Sequence, residues 1–187
     1  MNANTAKLIH YYCLDHFKKF LKEVFVPYVG EKSLLLLDSW IGHCKKAVHE
    51  CTPLGKEIAT EIIPKGTTGK IQPLDVYGFR IWKNFVRHFS DVVFLNNQNI
   101  NLHNRNNIIK LQSLVHNQLS SPKYINLFKY AWFKSGYLKE KPAEFENPVQ
   151  FPFTESSTAV CEVEGCTNVA VIRCSWCNKS LCLQHFF

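Results

Sequence analysis

The stretch "SLLLLDSW", residues 33–40, decides the fold. Periodicity alone does not tell whether four consecutive leucines form a helix or a strand. The short length, Gly30 just before it and a helical run upstream argue for a central strand buried on both faces. In that upstream run, from Thr5 to Phe25, Ile9, Tyr12, Cys13, Phe17, Phe20 and Val24 recur at helical spacing between lysines, and Pro27 ends it. Downstream, "IGHCKKAVHEC" (41–51) reads as a short helix, residues 57–63 as a second strand, and another helix opens near Asp75. Helix, strand, helix, strand, helix is the order of an α/β domain.

The helix near Asp75 raises a question of its own. Pro73 suits a first turn, where a missing N–H costs nothing. Counting from Asp75, the residues Phe79, Trp82, Val86 and Phe89 follow at i+4, i+7, i+11 and i+14, so an acid heads an apolar stripe. Arg80, Lys83 and Arg87 take the opposite side. Two more helices are expected. One spans about 104–119, with Ile108, Leu111, Leu114, Val115 and Gln118 on one side. The other runs from Ser121–Pro122 through Ile125, Phe128 and Trp132 to Gly136. Residues 139–160, rich in Pro, Glu and Ser, read as a linker. The expected organisation is a main domain over 1–137, a linker over 138–160 and a small module over 161–187.

The chain has 187 residues, of which 46% are apolar and 20% charged, values of a globular rather than a disordered protein. Its net charge of +7 suits a phosphate-rich partner such as DNA, although the Lys and Arg residues are spread along the chain. No apolar run approaches the roughly 20 residues of a membrane helix. The opening residues lack a secretory pattern, so an intracellular setting with reduced cysteines is expected. Five of the eight cysteines fall in the last 27 residues, which points to metal rather than disulfides.

Asp38 ends one strand, and Asp75 opens the helix after the next. On neighbouring strands, two such carboxylates can hold Mg²⁺ through oxygen and leave positions for substrate phosphate. The competing reading is structural: Asp38 caps the next helix and Asp75 complements a helix dipole. The words around the two acids add to this. "LLLLDSWIGH" followed by "IPKGTTGKIQPLDVYGFRIWKNF" resembles the DDE-type transposases of the mariner superfamily, in particular the pogo and Tigger-like group. In that family an apolar strand ends in the second catalytic aspartate, with a histidine a few residues on. A Pro-x-x-(Ser/Thr)-Thr-x-x-x-Gln-Pro-Leu-Asp segment carries the third. The corresponding positions are Asp38 with His43, and Asp75 within "PKGTTGKIQPLD".

The resemblance extends over roughly residues 7–137. It implies a partial RNase H-like fold, cutting and joining of DNA with Mg²⁺ or Mn²⁺, and a nuclear location. Asp38 and Asp75 would be catalytic metal ligands. Thr68 and Gln72 would position the backbone or satisfy the loop, and Lys70, Arg80, Lys83 and Arg87 would meet DNA phosphate. The family's first aspartate belongs on a strand ahead of the opening helix and has no counterpart in this chain. A transposase-derived DNA-binding protein without unaided catalysis is therefore expected.

The tail "CEVEGCTNVAVIRCSWCNKSLCLQHFF" carries Cys161-x4-Cys166-x7-Cys174-x2-Cys177-x4-Cys182-x2-His185. Thiolates and an imidazole so spaced suit tetrahedral Zn²⁺, and a 27-residue segment cannot fold around an apolar core alone. Two ligand sets are open. Cys174, Cys177, Cys182 and His185 form a compact one, though the four-residue gap between its pairs is short. Cys161, Cys166, Cys182 and His185 form an interleaved one, as in cross-brace fingers, and this is preferred. It leaves Cys174 and Cys177 two partners short. The module is similar to the cysteine-rich segments at transposase C-termini, which bind DNA ends or protein. Its nearly balanced charge, Glu162 and Glu164 against Arg173 and Lys179, makes a non-catalytic protein-contact module the alternative function. Oligomeric state is left open.

Overall fold

The computed structural model describes residues 14–153 and 159–187. The Thr5–Cys13 part of the expected first helix and residues 154–158 of the expected linker lie outside them. The chain divides into two compact units, Met1–Gln72 and Pro73–Phe187.

In the first unit, helix α1 (described over 14–20) passes into a π turn, Leu21–Phe25, and a 3₁₀ turn, Val26–Tyr28. Pro27 thus lies inside the terminal turn of the run. Strand β1 (Lys32–Leu37) follows, then α2 (Lys45–Cys51), β2 (Glu57–Ile62) and a single turn α3 (Thr68–Ile71). The two strands are parallel and in register from Lys32 opposite Glu57 to Leu37 opposite Ile62. Phe17, Leu21, Leu37, Ala47, Val48 and Cys51 bury one face of this sheet under α1 and α2. The expected burial of β1 on both faces does not hold. Among the described residues β1 pairs only with β2, and Leu34 stays 51% exposed on the uncovered face. With one neighbour and one covered face, a leucine run cannot be enclosed.

The second unit is helical. A π turn, Leu74–Gly78, leads into α4 (Phe79–Leu95), followed by α5 (Arg105–Leu119) and, after a 3₁₀ turn at Pro122–Tyr124, by α6 (Ile125–Lys134). Asn104 caps α5 by accepting from the Asn106 N–H at 3.0 Å. Ile81, Phe85, Phe89, Val93, Leu111, Val115, Leu119, Tyr124 and Leu127 make the core. On α5 the buried side matches the expected one at Leu111, Val115 and Gln118, while Ile108 is exposed. On α6 Leu127 and Ala131 are buried, and Ile125 is 58% exposed.

Within the stretch read as a linker, residues 148–153 are packed. Pro148 and Pro152 are fully buried, Val149 joins the core, and Phe153 meets Phe85 at 5.0 Å between ring centroids. Short turn α7 (Gln150–Phe153) leads on to the hairpin β3 (Ile172–Arg173) and β4 (Ser180–Leu181) and to α8 (Leu183–Phe186). Ile172, Leu183 and Phe186 enter the same core, and the Phe186 ring is 6.1 Å from that of Phe89. The cysteine-rich tail and the helices thus share one hydrophobic core. The protein is mixed α/β, with two small sheets among the described residues.

Candidate functional site

Asp38 follows β1 directly, at the carboxyl end of the parallel pair, where open α/β sheets place their ligands. Its Oδ1 accepts from the Trp40 N–H at 3.1 Å and from His43 Nδ1 at 2.6 Å. A carboxylate only accepts, so His43 donates from Nδ1. The loop is built to hold that histidine. The His43 ring lies 4.9 Å from Phe17 and stands edge-on to Trp40 at 5.2 Å. The Trp40 ring lies over Gly42, where a Cβ would come within 2.2 Å of it and force the ring to move. Both loop bonds use Oδ1, which leaves Oδ2 as the atom of Asp38 open to a cation.

Asp75 lies in the π turn, closed by the Phe79 N–H donating to the Leu74 carbonyl. It is exposed, contrary to the stripe read from sequence. A π turn winds less per residue than an α turn, so going back from Phe79 it rotates Asp75 out of the buried arc. The buried line of α4 is Ile81, Phe85, Phe89 and Val93, with Trp82 and Val86 at its edge and Phe79 43% exposed. Asp75 instead lines an open groove with Phe79, Arg80, Lys83, Asn84 and Arg87. Arg87 Nη2 donates to Asn84 Oδ1 at 2.6 Å. The three expected DNA-facing cations of α4 are thus on one exposed face, while Lys70 is exposed in the first unit.

The third group is the tail. The ligand atoms of Cys161, Cys166, Cys182 and His185 all lie within 4.8 Å of one another. Cys166 and Cys182 sulfurs are 3.9 Å apart, and His185 Nδ1 is 3.4 Å from both Cys161 and Cys182 sulfurs. Zn–S bonds of about 2.3 Å and Zn–N bonds of about 2.0–2.1 Å give tetrahedral edges of about 3.8 Å (S to S) and 3.6 Å (S to N). The donors therefore already stand at nearly the spacing of a tetrahedral zinc site.

Local structure puts them there. Gly165, at φ +76°, turns the chain between Cys161 and Cys166 in a conformation that glycine adopts without strain. Cys182 is the residue before α8, and His185 lies one turn on. Burial pushes the Cys161 thiol up, but the Cys182 and Val163 N–H groups, His185 and Cys166 favour the thiolate and bring it to about 6. The Asn168 N–H draws Cys166 down, yet burial and the Cys161 and Cys182 sulfurs outweigh it and hold Cys166 above its ordinary value. Crowded thiols cannot all ionise without a cation among them.

Cys174 and Cys177 stand outside this group. Burial raises the Cys174 thiol, but the Cys177 and Trp176 N–H groups, the Gln118 amide and Cys177 outweigh it and lower the thiol overall. Gln118 Oε1 accepts from the Ser175 N–H at 2.7 Å, Ser121 Oγ donates to the Ser175 carbonyl at 2.8 Å, and the Tyr124 and Ser175 hydroxyls share a hydrogen bond at 3.0 Å. Sequence reading missed this clamp. Its members are more than fifty positions apart and no local pattern marks them.

Two family models match the chain. The DDE superfamily endonuclease model covers residues 13–135, and the Tc5 transposase C-terminal domain model covers residues 132–187. The chain belongs to the DDE superfamily endonuclease family. Its two matched regions make it a transposase-derived, DNA-related protein. No curated protein and no solved structure matched it. Among the described residues no helix is long and apolar enough to cross a membrane.

Proposed function

We propose that this chain is a nuclear, DNA-binding derivative of a pogo/Tigger-like transposase of the mariner superfamily, with a partial RNase H-like fold and a C-terminal zinc module. The observation that carries the reading is Asp38 at the carboxyl end of β1, hydrogen-bonded to His43, within a region matched by the DDE endonucleases. Asp38 and Asp75 offer carboxylate oxygens, the donors that Mg²⁺ and Mn²⁺ prefer. An ion held by such a carboxylate would supply an activated water and stabilise the leaving oxygen in phosphodiester cleavage. His43 would fix the orientation of Asp38 and keep Oδ2 directed to the ion. Arg80, Lys83 and Arg87 would hold DNA phosphate along α4, and Lys70 would add a contact from α3. With two acids of the family's three, the chain as it stands binds DNA without cutting it unaided.

Zinc would be held by Cys161, Cys166, Cys182 and His185, and its role is structural because four protein ligands leave no open position. A second reading is a non-catalytic module for protein contacts. It is favoured by Val160, Val169 and Trp176, exposed by 56%, 54% and 49% on the tail. Incubating the zinc-loaded chain with supercoiled DNA in Mg²⁺ or Mn²⁺ tests the first. Binding without nicking is expected. Nicking that disappears in both Asp38→Asn and Asp75→Asn would instead make the chain a self-sufficient nuclease.

A further inference from the structure

The turn between β3 and β4 holds two cysteines that the four-ligand centre does not use. We propose that Cys174 and Cys177 form half of a second thiolate metal site, which a second copy of this chain completes, so that one zinc ion joins two protomers. The turn is fixed at its base and open at its tip. Ser175 is buried and clamped by Gln118, Ser121 and Tyr124, and Trp176 Nε1 donates to the Asn117 carbonyl at 2.6 Å. Trp176, Cys177, Asn178 and Lys179 are exposed. The Cys174 N–H donates to the Lys179 carbonyl at 2.9 Å, the Asn178 N–H donates to the Cys174 carbonyl at 2.9 Å, and Asn178 takes φ 58° to close the turn.

The Gln118 amide donates to the Cys174 sulfur at 3.6 Å, and Cys177 follows three positions on in the same closed turn. A Cys-x-x-Cys turn closed by its own backbone bonds, with its first sulfur held by an amide donor, is a prepared pair for a soft cation. Among the described residues no third His, Cys, Asp or Glu stands near enough to join the pair. Structural zinc takes four ligands, and a twofold axis through the ion supplies two from each copy. Four thiols give up four protons to solvent and leave a centre of charge −2. Each copy brings Lys179 next to the turn, and that anionic centre offsets the repulsion between two chains of net charge +7. Trp176, half exposed beside Cys177, supplies apolar contact across the axis.

This inference rests on the four-ligand zinc reading only in so far as that centre folds the hairpin, and zinc counting separates the two. The zinc-saturated full chain is measured by native mass spectrometry and sedimentation. A dimer is expected with about 1.5 zinc per chain, one ion from each four-ligand centre and half of a shared ion. Cys177→Ser, at an exposed position, should give a folded monomer with about one zinc. A dimer with about 0.5 zinc per chain that still needs Cys177 would uphold the shared site and remove the four-ligand one. A wild-type monomer, whatever its zinc content, or a dimer that survives Cys177→Ser overturns the proposal.

Discussion

Removing zinc should destabilise the helices of the second unit, not only the tail. Ile172, Leu183 and Phe186 are 0%, 4% and 7% exposed within the core formed by α4, α5 and α6. Burying each such side chain is worth about 1.5–3 kcal/mol, so the three together contribute about 5–9 kcal/mol as an upper value. Zinc binding in small modules supplies about 10–16 kcal/mol at neutral pH, enough to hold these residues in place. Without it the segment 161–187 loses the tie that joins Cys161, Cys166, Cys182 and His185, and its hold on the shared core weakens. The helices would then lose an amount comparable to the whole stability of a domain, about 5–15 kcal/mol. The assay is thermal unfolding followed by far-ultraviolet circular dichroism, with and without a zinc chelator, and again for Cys182→Ser. The midpoint should fall by about 15 °C or more, or the cooperative transition should vanish. Complete removal of the metal with a midpoint unchanged within about 3 °C would overturn this expectation, because the shared core would then not depend on zinc.

Two further outcomes follow from the clamp around Ser175. Gln118→Ala strips the buried Ser175 N–H of its acceptor and should cost about 1–3 kcal/mol in urea unfolding, whereas a loss below about 0.5 kcal/mol would show the bond to be dispensable. Burial, only partly offset by the bond to Ser175, pushes the Tyr124 phenol up to about 12. A raised folded value means that its contribution is fully present below the ordinary tyrosine value near 10 and is lost as pH rises through about 12. The wild type should therefore lose more stability than Tyr124→Phe between those values, and parallel profiles would count against a buried phenol.

Much of the architecture was legible because its signals are local. The leucine run before Asp38 and the Ser121–Pro122 start each depend on neighbours within a few residues. His43 was placed near Asp38 only by the family resemblance, and the hydrogen bond between them comes from the structure. The preferred ligand set, Cys161, Cys166, Cys182 and His185, is the one whose atoms come together, since Cys182 and His185 share the first turn of α8. The placement of Asp75 was not legible. A single π turn rotated it off the stripe, and an ideal α-helical count has no way to register that. Pro148 and Pro152 look like linker residues in sequence. Their burial depends on a core assembled from helices far away in the chain, as does the hold of Gln118 on the Cys174 turn.

The role of α4 as the DNA-facing element is tested by the salt dependence of binding, measured by fluorescence anisotropy on duplex DNA. For the zinc-loaded chain, log K should fall linearly with log salt. Replacing Arg80, Lys83 and Arg87 together by Gln should weaken binding uniformly across sequences and reduce the slope by about 2.7, or about 0.9 for each phosphate no longer neutralised. No binding at about 50 mM salt, or a slope that the triple variant leaves unchanged, would contradict that role for α4 in this transposase-derived chain.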